Sequence, residues 1–168
     1  MIAKVDTSSA VMAVAAGLLG GVLLASHATA QTAQDLVGTW TVVSIKADQD
    51  GNTVEPYGPN PKGALMFDEN GRYASVILRP DLPAFVSNNR TTGTPEENQA
   101  VVQGSIAHFG TYAVEGNTVV FRIEAATFAN WNGAEQKRPF TVQGDEFRYT
   151  VPAASGGGTA HLIWKRAK

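Results

Sequence analysis

Short segments in which apolar and polar residues alternate dominate the chain from residue 31 onward. A period of two residues is typical of antiparallel strands that bury one face. The pattern predicts eight strands, at residues 40–45 (with an end near 48), 63–67, 73–78, 109–114, 118–123, 138–142, 146–151 and 159–165. We expect glycine-containing turns at 68–71, 115–117 and 143–145 to join consecutive strands into hairpins.

An all-β chain of this kind is expected to close into an eight-stranded antiparallel up-and-down barrel. Closure removes the unpaired edges that an open sheet would expose. A β-sandwich is the alternative, but sandwiches favour Greek-key crossovers, whereas the three tight turns favour up-and-down order. A barrel of eight strands is just wide enough either to fill itself with side chains or to hold one small ligand.

One segment predicts a helix, in the long connection between the third and fourth strands. Thr94 is suited to the N-cap, Pro95 to the first helical position and Glu97 to the third, which together form a capping box. Gly104 is expected to end this helix. The connection spans about residues 80–105 and is the longest in the chain, and loops of that length are often functional.

The first 30 residues have a different character from the rest. Lys4 precedes an uncharged apolar run at 10–25, and Ala28-Thr29-Ala30 fits a small-x-small cleavage pattern. We therefore expect a signal peptide at 1–30, a mature domain at 31–168 and a periplasmic or secreted location. An uncleaved anchor is the alternative, but the apolar run is shorter than the ~20 residues of a spanning helix, and no membrane span is expected after cleavage.

Charge and composition exclude several classes of function. The 168 residues carry 13 basic and 15 acidic side chains, for a net charge of −2, so no basic surface for nucleic acid is indicated. The absence of cysteine excludes disulfides, thiolate metal ligands and a cysteine nucleophile. His108 and His161 have no patterned carboxylates beside them, so no metal site is expected, and no glycine-rich phosphate loop indicates a cofactor.

Gly38-Thr39-Trp40, at the start of the first strand, resembles the Gly-x-Trp signature of the lipocalin and wider calycin barrels. The resemblance implies that the tryptophan plugs the closed end of the barrel and that Arg166 or Lys165, from the last strand, packs across it. If Trp40 points inward, strand alternation places Val42 and Ser44 on the same face.

Four further segments, at 56–63, 109–112, 130–140 and 163–166, resemble the bacterial lipocalin-like domain family, and the resemblance covers nearly all of the mature chain. It implies a β-barrel with a possible internal pocket. It implies no particular substrate and no general catalytic motif.

Five residues are candidates for orienting the polar end of a ligand: Tyr73, His108, Tyr112, Trp131 and Arg138. His108 and Tyr112 share one strand face and could act as an acid–base pair, or could form a structural contact or lie at the surface. Trp131 either caps the open end of a pocket or fills the core. Arg138, with Lys137, could hold an anion at the rim, or could belong to a solvated loop.

Three functions are consistent with these patterns. The favoured one is an exported barrel that binds a small apolar or amphipathic molecule. The second is an isomerase or cyclase acting on an apolar substrate inside the barrel, which requires a buried titratable residue such as His108 with a partner. The third is a structural envelope protein whose barrel is fully packed and holds no ligand.

Overall fold

The computed structural model describes residues 31–168, and the predicted signal peptide at 1–30 lies outside the described residues. Within residues 31–168, two helices and nine strands follow one another. In order they are α1 (Ala33–Leu36), β1 (Gly38–Gln49), β2 (Asn52–Val54), β3 (Lys62–Phe67), β4 (Arg72–Leu78), α2 (Pro95–Gly104), β5 (Ser105–Glu115), β6 (Thr118–Ala126), β7 (Glu135–Gln143), β8 (Glu146–Val151) and β9 (Thr159–Arg166). A 3₁₀ turn at Ala129–Trp131 precedes β7.

Eight of the strands form the predicted closed antiparallel barrel. The order β1-β3-β4-β5-β6-β7-β8-β9 follows the chain, and pairing of β1 with β9 closes the sheet. The up-and-down barrel is therefore confirmed, and the sandwich alternative is wrong. Strand β2 lies outside the barrel and pairs only with the end of β1, from Ala47↔Val54 to Gln49↔Asn52. The alternation did not predict β2 because all three of its residues are exposed.

A bulge in β1 changes which residues face the interior. The register against β9 shifts between Val42 and Ser44, so two residues of β1 occupy the space of one. Trp40 and Val42 are buried as expected, but beyond the bulge the buried residues are Ile45 and Ala47. The expectation that Ser44 shares the inward face is therefore wrong, because strict alternation does not survive an inserted residue.

Helix α2 lies in the connection between β4 and β5, as predicted. The Thr94 hydroxyl accepts a hydrogen bond from the Glu97 amide (3.2 Å), and the Glu97 carboxylate accepts one from the Thr94 amide (2.8 Å). The same carboxylate also accepts from the amide of Val86 (2.8 Å), which fixes the preceding loop to the start of the helix. Gly104 is the last residue of the helix.

Trp40 fills one end of the barrel. Its ring is completely buried, and its Nε1 donates to the carbonyl of Leu36 in α1 (2.7 Å). Arg166, rather than Lys165, lies over this ring with its guanidinium carbon 4.2 Å from the ring centroid. The Arg166 guanidinium also donates to the carbonyls of Val37 (2.8 Å) and Asp35 (2.9 Å), which holds α1 across the barrel end.

Gly38 makes this arrangement sterically possible. Its φ of +122° lies in a region that other residues rarely adopt, and a β-carbon there would lie 3.2 Å from Nη1 of Arg166.

Across residues 31–168, no helix has the length and apolar character needed to cross a membrane.

Candidate ligand-binding site

A cavity of about 480 Å³ occupies the end of the barrel opposite Trp40. This volume lies within the range of about 300–1,000 Å³ that is usual for small-molecule sites. Its mouth is formed by the 56–57 segment, the last turns of α2, the 127–131 segment and the loop at 154–157. The walls are mainly apolar, so the cavity can bury an apolar molecule.

Differences in side-chain size explain why one half of the barrel is filled and the other is hollow. Trp40, Phe67 and Phe147 pack against one another in the closed half, with centroid distances of 5.4 and 6.0 Å. In the other half, Ala47 and Ala160 are directly paired across β1 and β9, and both line the cavity. Small residues at these inward positions leave room that aromatic side chains would occupy.

Arg138 lies on the inward face of β7 and is only 2% exposed. Its Nη1 donates to the hydroxyl of Tyr149 (3.3 Å), and its Nη2 donates to Oε1 of Gln136 (2.5 Å). Its Nε is buried and has no hydrogen-bond partner among the described residues. The interpretation of Arg138 as part of a solvated loop is therefore wrong.

Three aromatic rings surround the Arg138 guanidinium. Its central carbon lies 4.7 Å from the centroid of Phe121, 5.1 Å from that of Tyr149 and 6.0 Å from that of Trp131. Ring faces attract a cation by about 0.5–2 kcal/mol each, depending on solvation. These rings hold the guanidinium in position at the cavity wall without neutralising its charge.

His108 lines the same cavity and is 5% exposed. Its Nδ1 lies 2.8 Å from the hydroxyl of Tyr73. Burial, followed by the positive charge of Arg138, lowers the pKa of His108 from 6.5 to about 3. The imidazole is therefore neutral at pH 7, and Arg138 carries the one formal charge among the described residues that line the cavity.

The expected pairing of His108 with Tyr112 is not formed. Four residues along a strand span about 13 Å, and Tyr112 lies toward the closed end, where its hydroxyl donates to the carbonyl of Asp68 (3.0 Å). The partner of His108 comes instead from the adjacent strand, where Tyr73 supports the imidazole from outside the cavity lining. Burial raises the pKa of the Tyr73 hydroxyl, which keeps it protonated.

The remaining candidates divide between the cavity and the surface. Trp131 lines the mouth, 5.5 Å from the His108 ring, so it caps the open end rather than filling the closed core. Lys137 points away from Arg138 and binds Glu115 on the outer surface (3.0 Å). The expected anion site formed by Lys137 and Arg138 together is therefore wrong, because consecutive strand residues face opposite sides.

Two tyrosines that are not among the five candidates also belong to the site. Tyr149 is buried beside Arg138, and Tyr57 lies at the mouth, where burial, and then Tyr149, raises its pKa to about 12. Alternation along β8 places Tyr149 on the same face as Phe147, which is a signal that could have identified it. Tyr57 lies in the proline-rich 56–63 segment, whose composition indicates a fixed loop at the barrel rim from which a tyrosine could reach a ligand.

A family profile described as a lipocalin-like domain matches residues 37–167. The chain belongs to the lipocalin-like domain family. A comparison with curated proteins found no match. Within residues 31–168 of this family member, no group of three potential histidine, cysteine or carboxylate metal ligands is present.

Several solved structures are similar to this lipocalin-like chain, and two of them illustrate the likeness. One is a lipocalin-like protein from Bacteroides uniformis ATCC 8492, with 15% identity, a TM-score of 0.45, and coverage of 79% of this chain and 99% of that one. The other is a mutant of the fluorescent protein UnaG, with 12% identity, a TM-score of 0.38, and coverage of 80% of this chain and 97% of that one.

Proposed function

We propose that this lipocalin-like protein binds a small apolar or amphipathic molecule inside its barrel. The observation that carries the proposal is the cavity of about 480 Å³ behind an open mouth. Apolar walls contribute about 25 cal/mol for each Å² of ligand surface removed from water. Arg138, His108 and Tyr149 provide the few polar groups that such sites use to orient a ligand.

The two alternative functions have less support. A packed structural barrel would have side chains where the cavity lies. An isomerase or cyclase would use His108 as its acid or base, and His108 is buried with a partner, as that hypothesis requires. Efficient proton transfer, however, needs a pKa near the working pH, and a pKa of about 3 makes the imidazole a weak base.

Filling the cavity is expected to weaken binding by at least about tenfold, which is about 1.4 kcal/mol. Ala160→Phe places a ring into the cavity wall beside Ala47, where the ligand would otherwise lie. The matched control is Thr141→Phe, which adds the same ring to the exposed face of β7. Affinity for fatty acids, retinoids and aromatic acids would be measured by calorimetry and by tryptophan fluorescence.

Trp131 gives this experiment a local reporter, because it lines the mouth whereas Trp40 and Trp164 are completely buried. The fluorescence change on binding should disappear in Trp131→Phe while the heat of binding remains. If no compound in the panel binds the parent protein by either method, the proposed function is wrong. Equal affinities of the Ala160→Phe and Thr141→Phe variants would place the ligand elsewhere.

We also propose that the protein is exported to the periplasm or beyond the cell. The support is the sequence of residues 1–30, with its apolar run and its Ala28-Thr29-Ala30 site. Protein isolated from its host is expected to begin at Gln31, as measured by intact mass and N-terminal sequencing. Ala30→Pro should block cleavage, with Ala33→Pro beyond the site as its control. An N-terminus at Met1 in the parent protein would contradict export by cleavage.

A further inference from the structure

We propose that the ligand carries a carboxylate, and that this group pairs with Arg138 inside the barrel. The inference rests on the proposed function and specifies the chemical class of the molecule that the cavity takes. It predicts an amphipathic acid whose apolar body lies against the barrel walls.

Arg138 has no counter-ion in the part of the chain that the structure describes. None of the ion pairs among residues 31–168 includes Arg138. The other four arginines on strands, Arg72, Arg122, Arg148 and Arg166, each have a carboxylate within 4.0 Å and are considerably more exposed. Among the five strand arginines of the described residues, Arg138 is thus both the buried one and the one that lacks an acidic partner. Burying an unpaired charge costs several kcal/mol.

The Arg138 guanidinium has hydrogen-bond donors that no protein group uses among the described residues. Arginine has five N–H donors, and Arg138 uses two of them, on the neutral groups of Tyr149 and Gln136. Its Nε is fully buried and has no hydrogen-bond partner in the part of the chain that the structure describes. A guanidinium binds a carboxylate through two parallel N–H donors, and such charge-assisted bonds are about twice as strong as neutral ones.

The described residues that line the cavity carry a net positive charge. Its lining contains no aspartate, glutamate or lysine among the described residues, and His108 is held neutral. The lining therefore has a formal charge of +1 in mainly apolar surroundings. A monoanion such as a carboxylate balances this charge, whereas a phosphate monoester would bring a second negative charge that nothing in the lining would pair.

His108, which lines the same cavity as Arg138, can add a second donor to the anion site. Its ring and the Arg138 guanidinium both lie against Phe121 and Trp131. When the Tyr73 hydroxyl donates to Nδ1, the proton of the neutral imidazole is on Nε2. In this tautomer His108 provides a neutral donor, so the positive charge of the site stays on Arg138.

The test compares ligands that share an apolar body and differ in the polar end group, which is either a carboxylate or a neutral hydroxyl. Saturated fatty acids of 8 to 16 carbons would be titrated against the alcohols of equal chain length at pH 7.5, with indole-3-acetate and indole-3-ethanol as an aromatic pair. We expect the parent protein to bind the best acid at least tenfold more tightly than its alcohol. Arg138→Gln should remove this preference, whereas Arg148→Gln, which changes an exposed arginine on β8, should retain it.

The outcomes separate the inference from the proposed function. Binding of acids and alcohols with equal affinity by the parent protein would overturn the carboxylate assignment and leave the binding function intact. Binding of neither series would contradict both proposals.

The thermal stability of an Arg138 variant provides a second measurement, in addition to ligand affinity. Burying an unpaired charge costs several kcal/mol, so Arg138→Met, which removes the charge and keeps an unbranched side chain, should keep or raise Tm while losing the preference for acids. If Arg138→Met lowered Tm and the parent protein also showed no preference for acids, the role of Arg138 would be structural and the inference would be wrong.

Discussion

Replacing Trp40 by alanine is expected to lower the free energy of unfolding by about 4 kcal/mol, since Trp→Ala changes in protein cores cost about 3–5 kcal/mol. The ring is completely buried against Phe147 and beneath Arg166. Its removal leaves a hole at the closed end, takes the stacking surface from Arg166 and leaves the carbonyl of Leu36 without its donor. Urea unfolding followed by far-ultraviolet circular dichroism measures the loss without relying on tryptophan fluorescence.

The matched control is Trp131→Ala, the same deletion at the open end. Trp131 is partly exposed at the cavity mouth, so its removal should cost about 1 kcal/mol, within the range of ordinary substitutions. If Trp40→Ala proves too unstable to purify, Trp40→Phe keeps a ring over which Arg166 can lie and should show a smaller loss in the same direction. If the Trp40→Ala and Trp131→Ala variants lost equal free energies of unfolding, the assignment of Trp40 as the residue that fills the closed end of the barrel would be wrong.

Acid is expected to destabilise the parent protein more than a His108→Gln variant. The pKa of His108 is about 3 in the folded protein and 6.5 when exposed, so between these values the unfolded state binds more protons. This contribution to stability is fully present above pH 6.5 and decreases as the pH falls toward 3. At 1.36 kcal/mol for each pH unit, it amounts to about 3 kcal/mol between pH 7 and pH 4.5.

The free energy of unfolding would be measured in urea at several pH values from 7 to 4.5. His108→Gln can still hydrogen-bond Tyr73 but cannot take up a proton. Between pH 7 and pH 4.5, its free energy of unfolding should therefore fall by about 3 kcal/mol less than that of the parent protein. His161→Gln is the control, because His161 is exposed on β9, beside Asp48 (3.3 Å). Parallel pH profiles for the parent and His108→Gln would show that His108 is not buried in neutral form.

The barrel was largely predictable because its signals are local. Alternation identified all eight barrel strands, and glycine-containing turns between them indicated their up-and-down order. Thr94, Pro95 and Glu97 specify the start of α2 through contacts within four residues. Elements that lack such signals were missed: α1 has four residues, and β2 has three exposed ones.

The candidate site was only partly predictable because its contacts join distant parts of the chain. The sequence indicated His108, Trp131 and Arg138, and all three line the cavity. It paired His108 with Tyr112 on its own strand, whereas the actual partner, Tyr73, is 35 residues away along the chain. Cross-strand neighbours follow from sheet register, and a bulge such as that in β1 alters the register without a clear sequence signal.

The sequence by itself determined that this chain forms a β-barrel with Trp40 at the start of its first strand, because periodicity and turn chemistry are properties of neighbouring residues. Only the tertiary structure decided that Arg138 is buried with no counter-ion among residues 31–168. Glu135, three residues before it, faces outward and binds Arg122 (3.0 Å), while Gln136 shares the inward face with Arg138. The net charge of a cavity depends on which side chains from different strands face the interior. Closure of the sheet into a barrel determines that set of side chains.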